Sequence, residues 1–424
     1  MNMKKYILGL LLTLSIPGFS QTLSLQQCQQ MAHNHNIALR TARNNITMAE
    51  EQKKEAFTNY FPTISASGLA FAANKNQISY NLGDMQLDMI KNGTFASVDA
   101  VQPIFAGGQI MNNNKLAKVG LEIGKLQLQQ SENEVVLTTQ QYYWNIVTLK
   151  EKLNTISFVQ TMLSQLDKDV TTFVKAGITT RNDLLQVQLR RNEVESQKTQ
   201  IENALSICKL VLAQYIGVSS ENFDVESHVN ADEMPEFPLD LKQDYKQALS
   251  NIPEYRLLEK NVEAKNFDYK IEIGKNLPTL GVGASYGYNH ILDKGGASGI
   301  VFVKLSVPIS DWWGGSHAIK RKSIAEQNAR DLLKDNSELL EIRMRKNWAE
   351  IDNAYKQLGL AKKSIDQSKE NLKINTDMYQ AGTTKMSDLM DAQSQYQQAC
   401  DKYVDAYAML ETKILEYKQS VGIR

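Results

Sequence analysis

Phe173-Val174-Lys175-Ala176-Gly177-Ile178-Thr179-Thr180-Arg181-Asn182-Asp183-Leu184-Leu185-Gln186-Val187-Gln188 is answered 205 residues later by Met378-Tyr379-Gln380-Ala381-Gly382-Thr383-Thr384-Lys385-Met386-Ser387-Asp388-Leu389-Met390-Asp391-Ala392-Gln393. The offset persists to Tyr215-Ile216-Gly217 and Ser420-Val421-Gly422. Upstream, Pro103-Ile104-Phe105-Ala106-Gly107-Gly108 pairs with Pro308-Ile309-Ser310-Asp311-Trp312-Trp313-Gly314-Gly315, which holds two extra residues. Phe61-Pro62-Thr63-Ile64 pairs with Leu277-Pro278-Thr279-Leu280. Four matched blocks in one order define a tandem repeat, the feature to read before any local motif.

Each copy reads helix, strand, strand, long helix, long helix. Pro62 and Pro278 close the leading helices, because proline disfavours helix in the residue before it. Leu280, Val282, Ala284, Tyr286 and Tyr288 then alternate with Thr279, Gly281, Gly283, Ser285 and Gly287, and Val301, Val303, Leu305, Val307 and Ile309 alternate with Phe302, Lys304 and Ser306. This is a period of two with one apolar and one small or polar face. Ile64 to Phe71 and Phe95 to Val101 repeat it more weakly, and polar, glycine-containing loops are expected at about 73–94 and 291–299. Such strands suit either a barrel with lipid outside and water inside or a half-buried sheet.

After each Gly-Gly the chain lacks proline for long stretches. Gln109 to Lys175 is 67 residues, about 100 Å as a helix at ~1.5 Å per residue. A second helix is expected from about Arg181 to Tyr215, with the same pair from Ser316 to Tyr379 and about Met386 to Lys418. Leu116, Val119, Ile123 and Leu126, then Leu205, Cys208, Leu212 and Tyr215, recur at three and four, and Ile365, Leu372 and Tyr379 at seven. The stripe is narrow and coiled-coil-like, and the rest of each helix is wetted.

The expected boundaries are a signal peptide over 1–20, a first repeat over 21–217 (strands about 62–72 and 95–105, hairpin about 109–217), a linker over 218–245, and a second repeat over 246–424 (strands about 279–290 and 299–309, hairpin about 315–420). The signal peptide rests on Lys4 and Lys5, the apolar run Tyr6 to Ile16 and Ser20 at the cut. No later stretch approaches the roughly 20 apolar residues of a membrane-spanning helix, so a membrane role would have to use strands. The segment Val218 to Leu241 holds Pro235, Pro238 and many acids, read as solvated.

Lys+Arg and Asp+Glu are both 47, and no basic tract argues for nucleic acid. Cys28, Cys208 and Cys400 fit no disulfide framework or metal spacing. The five histidines, His33, His35, His228, His290 and His317, form no catalytic constellation, and no HExxH, GxSxG or phosphate-binding loop occurs. The reading is of a protein that is not an enzyme and has neither cofactor nor metal.

Four strands per chain cannot close a barrel, and an open apolar sheet in lipid would leave unpaired edges. Two copies give eight strands, whose interior side chains fill; three give twelve and leave a lumen. A homotrimer is expected.

The tandem halves, the Pro103 to Gly108 block with its partner, and the Ala-Gly-x-x-x-x-x-Asp-Leu turns resemble the TolC family of outer-membrane efflux proteins over nearly all of the mature chain. The resemblance implies a mainly α fold with a small β part. Three chains would build a long coiled-coil α-barrel across the periplasm and a 12-stranded outer-membrane β-barrel in lipid, with an equatorial belt including Val218 to Leu241. It implies an exit duct of a tripartite efflux or type I secretion system, working with a periplasmic adaptor (membrane fusion) protein and an inner-membrane pump of RND, ABC or MFS class. Ala176-Gly177-Ile178 and Ala381-Gly382-Thr383 would be the adaptor-docking tips. Asp388 and Asp391, on one helix face, match the family's entrance aspartates, and Asp183 and Tyr379 match residues of its closing network. Where the family carries a gating arginine this chain has Thr384, followed by Lys385, so its gate bonds are expected to differ. Aspartates in a first helical turn also suit the positive helix end, which leaves a purely structural reading of Asp183 and Asp388 open. The other reading of the whole chain is a periplasmic coiled-coil spacer or adaptor without a channel.

Overall fold

The computed structural model describes residues 21–75, 77–82, 85–89, 91–219, 223–231, 233–291 and 294–423; the expected signal peptide lies outside them. In chain order the elements are β1 (Gln21–Leu23), α1 (Leu25–His35), α2 (Ile37–Thr58), β2 (Thr63–Ala72), β3 (Ile78–Leu82), β4 (Met85–Met89), β5 (Asn92–Ala106), α3 (Gln109–Lys175), α4 (Arg181–Ile216), β6 (Phe223–Val225), α5 (Tyr245–Ala248), α6 (Pro253–Lys275), β7 (Thr279–Ile291), β8 (Lys294–Ser306), α7 (Asp311–Gln380) and α8 (Met386–Ser420). The fold is mainly helical with few strands, and the repeat is visible in it: α3 and α4 have 67 and 36 residues, α7 and α8 have 70 and 35. Two compact units cut across the repeat. One is Thr41–Gln130 with Asp244–Ile342; the other is Met1–Arg40 (described from Gln21), Ser131–Gln243 and Arg343–Arg424.

The first unit holds a four-stranded sheet in the order β2-β5-β7-β8, antiparallel throughout. Its centre joins the two copies, because β5 of the first pairs with β7 of the second, Val98 opposite Tyr286 and Ala100 opposite Ala284. The register shifts between Pro103 and Phe105, a bulge that accommodates a proline without a donor. Alternation sorts the two faces as the sequence suggests. Val282, Tyr286 and Tyr288 are exposed, whereas Gly283 is buried and Ser285 and Gly287 are half-buried. Leu280 pairs with Leu305, Val282 with Val303 and Ala284 with Val301 on the apolar side. Val301 is 86% exposed and Val303 70%, so among the described residues nothing covers this face. On the opposite side the Ser97 hydroxyl meets that of Ser67 at 3.0 Å and donates to Asp99 Oδ2 at 2.8 Å. β2 and β8 form the two edges.

Three expectations about this unit need correction. The stretch 73–94 is more than a loop: it carries the hairpin β3–β4, paired from Ile78 with Met89 to Leu82 with Met85. β8 begins at Lys294, so the second connection is far shorter than 291–299. The helix after the second Gly-Gly also starts early. In the first copy Gly107 and Gly108 form the turn before α3, with φ of 59° and 76°. A Cβ on Gly107 would lie 2.1 Å from the carbonyl oxygen of Gly274 at the end of α6, so only glycine fits. In the second copy α7 starts at Asp311 and takes in Gly314 and Gly315. The two inserted residues account for this: Trp312 Nε1 donates to the carbonyl of Asn276 at 2.9 Å, anchoring the new first turn, and Asp311 suits its positive end.

In the second unit β1 pairs in parallel with β6, Thr22 opposite Asp224. The segment between the copies is thus fastened at its start. The Tyr143 hydroxyl donates to the Glu226 carbonyl at 2.6 Å, and Tyr403 to that of Asn230 at 2.8 Å. Phe237 packs edge-on against Trp348 and Tyr355. One acid of this segment is not merely solvated. Asp224 takes Lys150 Nζ at 2.6 Å and Lys209 Nζ at 3.4 Å. Burial raises its carboxyl, and the lysines, led by the Lys150 hydrogen bond, bring it below the usual range. All three cysteines are free; Cys28 is fully buried and its thiol is pushed up to about 12.

Candidate functional site

The two helix–helix turns close in the same way. After α3, the Gly177 N–H donates to the Val174 carbonyl at 3.1 Å and the Ile178 N–H to that of Phe173 at 2.9 Å. After α7, Gly382 donates to Tyr379 at 3.0 Å and Thr383 to Met378 at 2.9 Å. This is the Schellman pattern, which needs a left-handed residue. Gly177 and Gly382 supply it, with φ of 73° and 71°, and the space around each is open. Ala176, Gly177, Ile178, Ala381, Gly382 and Thr383 are all exposed, Ile178 at 72%.

Asp183 and Asp388 occupy equivalent places at the start of α4 and α8. Asp183 closes a capping box: its N–H donates to Thr180 Oγ at 3.2 Å, and the Thr180 N–H donates to Asp183 Oδ2 at 3.3 Å. The Thr179 hydroxyl also donates to Asp183. In the second copy Thr384 Oγ donates to Asp388 Oδ2 at 2.9 Å, and Ser387 Oγ to Oδ1 at 3.3 Å. The N-cap there is Lys385, without a side-chain cap. Thr384, which stands where the resemblance puts an arginine, is thus the counterpart of Thr179. The Thr384 hydrogen bond leads in holding the Asp388 carboxyl below the usual range; the Lys385 backbone, Ser387 and the Lys385 charge assist. Asp391 lies a turn on from Asp388, and both are exposed.

Tyr379, on the last turn of α7, is half-buried beside the first tip. Burial raises its phenol, the neighbouring Thr179 hydroxyl lowers it, and the Asp183 carboxylate raises it again. Its hydroxyl oxygen is enclosed without a hydrogen bond of good geometry. So Tyr379 and Asp183 come together across the two hairpins, whereas the bonds to Asp388 come from its own turn. Beneath the tips one apolar cluster joins all four long helices: Val170, Val187, Leu372, Met386, Leu389 and Ala392 are buried, with Met162, Leu166 and Tyr379 packed against them.

Sequence reasoning missed a polar tie above this cluster. Arg190 of α4 donates from Nε to Gln393 Oε1 at 2.8 Å and from Nη2 to Gln397 Oε1 at 3.0 Å, both on α8. Gln397 donates in turn to Gln197 at 3.0 Å. Gln393 is fully buried and the Arg190 side chain only 13% exposed. The hydroxyls of Thr179 and Thr384 were missed as well, although each stands four residues before its aspartate, a repeated signal that could have found them. The Arg190 tie had no repeated signal, because its counterpart in the second copy is Gln395. A polar groove of about 1040 Å³ lies between α3 and α4, lined by Ser164, Lys168, Gln188, Arg191 and Asn192 among others, and one of about 370 Å³ between α7 and α8, lined by Gln367, Asn371, Gln395 and Gln398 among others. Among the described residues no helix is long and apolar enough to cross a membrane, and no His, Cys, Asp and Glu cluster is placed to hold a metal.

Residues 245–420 match the family model described as outer membrane efflux protein. No curated protein matches the sequence. Among solved structures the chain is similar to the CmeC outer membrane channel of Campylobacter jejuni, with a TM-score of 0.81 and 14% identity over 94% of this chain and 85% of that one. It is similar to the outer membrane protein VceC of Vibrio cholerae, with a TM-score of 0.78 and 14% identity over 94% and 96%. It is also similar to the open state of the MtrE outer membrane channel of Neisseria gonorrhoeae, with a TM-score of 0.77 and 15% identity over 94% and 89%. At these identities the structural likeness is one of fold.

Proposed function

We propose, for a chain whose second half belongs to the outer membrane efflux protein family and which has the TolC-type channel fold, that it is the exit duct of a tripartite efflux or type I secretion system. It is an outer membrane protein with its long helices in the periplasm. Three copies close a twelve-stranded barrel and a helical tunnel, through which substrate from an inner-membrane pump leaves the cell. The duct performs no chemistry of its own.

One observation carries this reading: a four-stranded sheet with a bare apolar face, a polar opposite face and two free edges. In water such a sheet would be an aggregation site. In lipid its edges must find partners. The strands alternate in direction from β2 to β8, so β8 of one copy meets β2 of the next antiparallel and the ring closes without a parallel joint. Three copies leave room for a lumen where two would not. The exposed Val301 and Val303 also weigh against a periplasmic spacer, which has no use for them.

The glycine turns form the periplasmic tips that meet the adaptor. Asp388 and Asp391, exposed on one face, supply a ring of carboxylates at the entrance, which attracts cations and sets the field there. Asp183 and Tyr379 belong to the contact that holds the two hairpins together.

The test is fractionation followed by recording in planar bilayers. The protein should band with the outer membrane and give discrete cation-selective currents. Divalent or trivalent cations added on the helical side should block them, and Asp388→Ala with Asp391→Ala should relieve the block. Recovery in the soluble periplasmic fraction without currents would overturn the duct, and unchanged block in the double variant would overturn the ring.

A further inference from the structure

The apolar face of β8 does not end with the strand. Val301, Val303 and Leu305 are followed at the same alternation by Val307 and Ile309, and all five are exposed. Four residues beyond Ile309 stands Trp313, 81% exposed. It lies in the stretch that the second copy has lengthened. Its neighbour Trp312 is spent on the Asn276 carbonyl, whereas among the described residues the Trp313 indole has no hydrogen-bond partner.

From Trp313 the helix repeats at four, three and four. Trp313, His317, Lys320 and Ile324 therefore share one face of α7, and Arg321 flanks it. All five are exposed. Of the three successive cations, Lys322 turns to Asp268 at 3.8 Å. Among the described residues neither Lys320 nor Arg321 has an ion-pair partner.

The first copy lacks this face. With Gly107-Gly108 set against Gly314-Gly315, Ala106, Ile110, Asn113 and Asn114 stand at the places of Trp313, His317, Lys320 and Arg321. None is charged or aromatic. Asn114 Nδ2 is used inside the chain, donating to the Ala56 and Ile110 carbonyls at 2.8 and 2.9 Å. The aromatic and cationic residues of the second copy thus serve no contact that the fold itself requires.

Their spacing fits a lipid leaflet. An indole settles at the boundary between acyl chains and headgroups. The headgroup layer below that boundary is about 5–8 Å deep. Seven residues of helix put Lys320 about 10 Å beyond Trp313, just past that layer. α7 runs away from the sheet, and helical side chains lean toward the N-terminus. The long stems of Lys320 and Arg321 therefore lean back toward the lipid and carry their charges to the depth of the phosphates. A headgroup with its own ammonium sets a cation beside them; phosphatidylglycerol does not.

We propose that this face of α7 is a docking surface for anionic phospholipid of the periplasmic leaflet, with Trp313 at the acyl boundary and Lys320 and Arg321 on the phosphate. His317 lies between them at headgroup depth. The continuity of the face with the bare apolar stripe of β8 identifies the occupant as lipid, and the two unpaired cations select its charge. This rests on the outer-membrane placement of the sheet.

Fluorescence quenching in vesicles tests it. The full-length protein is reconstituted into equal parts phosphatidylethanolamine and phosphatidylglycerol, with brominated acyl chains on one lipid or on the other. The difference between the unmodified protein and Trp313→Phe isolates the signal of that indole. Brominated phosphatidylglycerol should quench it at least about twofold more strongly than brominated phosphatidylethanolamine. Lys320→Gln with Arg321→Gln, both at exposed positions, should make the two lipids equal while the indole stays quenched. Equal quenching in the unmodified protein would overturn the proposal, and so would a preference that survives in the double variant. A Trp313 signal that neither lipid quenches would also overturn it. A protein that fails to float with the vesicles would instead defeat the outer-membrane placement itself.

Discussion

The two hairpins are copies in backbone and opposites in surface. Both end in a left-handed glycine, at Gly177 and Gly382, and both place a threonine hydroxyl on the aspartate four residues on. Yet the first copy buries Val170 where the second has the half-buried Asn375, and caps α4 with Thr180 where α8 begins at Lys385. Duplication preserved the geometry of the turn, and the side chains around it diverged. The turn is dictated by the chain's own backbone, whereas the surfaces face different neighbours. One copy's flank is covered within the chain, and under the duct reading the other's is covered only by assembly.

Exchanging residues between copies probes this directly. The largest effect is expected from Val170→Asn, which buries an amide in the apolar cluster and should lower unfolding stability by about 2–4 kcal/mol. The reciprocal Asn375→Val should change it by less than about 1 kcal/mol. Equal losses in denaturant titrations would show that the two flanks are equally buried and erase the distinction. At the turns the copies should behave alike. Gly177→Val and Gly382→Val force a β-branched residue into left-handed backbone, at about 1–2 kcal/mol each, with no added clash because the surroundings are open. A clear inequality between them would mean that one tip is held by something besides its backbone.

How much of this was legible follows the same division. Period two in Leu280 to Tyr288 and the proline-free run from Gln109 to Lys175 marked strands and helices, because one face of each is chemically distinct along the chain. Gly177 and Gly382 marked the turns, because few other residues take positive φ. Three features were not legible. The pairing of Thr22 with Asp224 joins residues far apart with no local signature. The β3–β4 hairpin lies in a stretch whose polarity resembles a loop. The early start of α7 depends on Trp312 reaching the Asn276 carbonyl. At the site, Asp183 and Asp388 were legible as residues, but their bonds to Thr179 and Thr384 required coordinates, and the Arg190 tie breaks the repeat that marked the turns.

Smaller differences refine the comparison of the caps. Thr180→Ala should cost about 1 kcal/mol, since it removes the acceptor for the Asp183 N–H. Lys385→Thr should gain a comparable amount by giving α8 the cap that α4 already has. No change from either would place the capping contribution elsewhere in the turn. The least effect is expected from Thr384→Val. It removes the hydrogen bond that keeps Asp388 below the usual carboxylate range, so the Asp388 midpoint should rise in a titration of protein carrying 13C-labelled aspartate. The sign follows from linkage: a depressed carboxyl stabilises the fold above its unfolded value, and this is lost as pH falls through the folded one. Thr384→Val should therefore weaken the pH dependence on the acid side, and an unmoved midpoint would remove Thr384 from the account.

Both halves of the comparison depend on the chain being one third of a closed ring. Native mass spectrometry of the protein released from detergent micelles measures that directly. Three chains per particle, with the sheet intact by circular dichroism, is the predicted result. A single chain that keeps its full strand content would contradict it, because the edges of β2 and β8 would then persist unpaired.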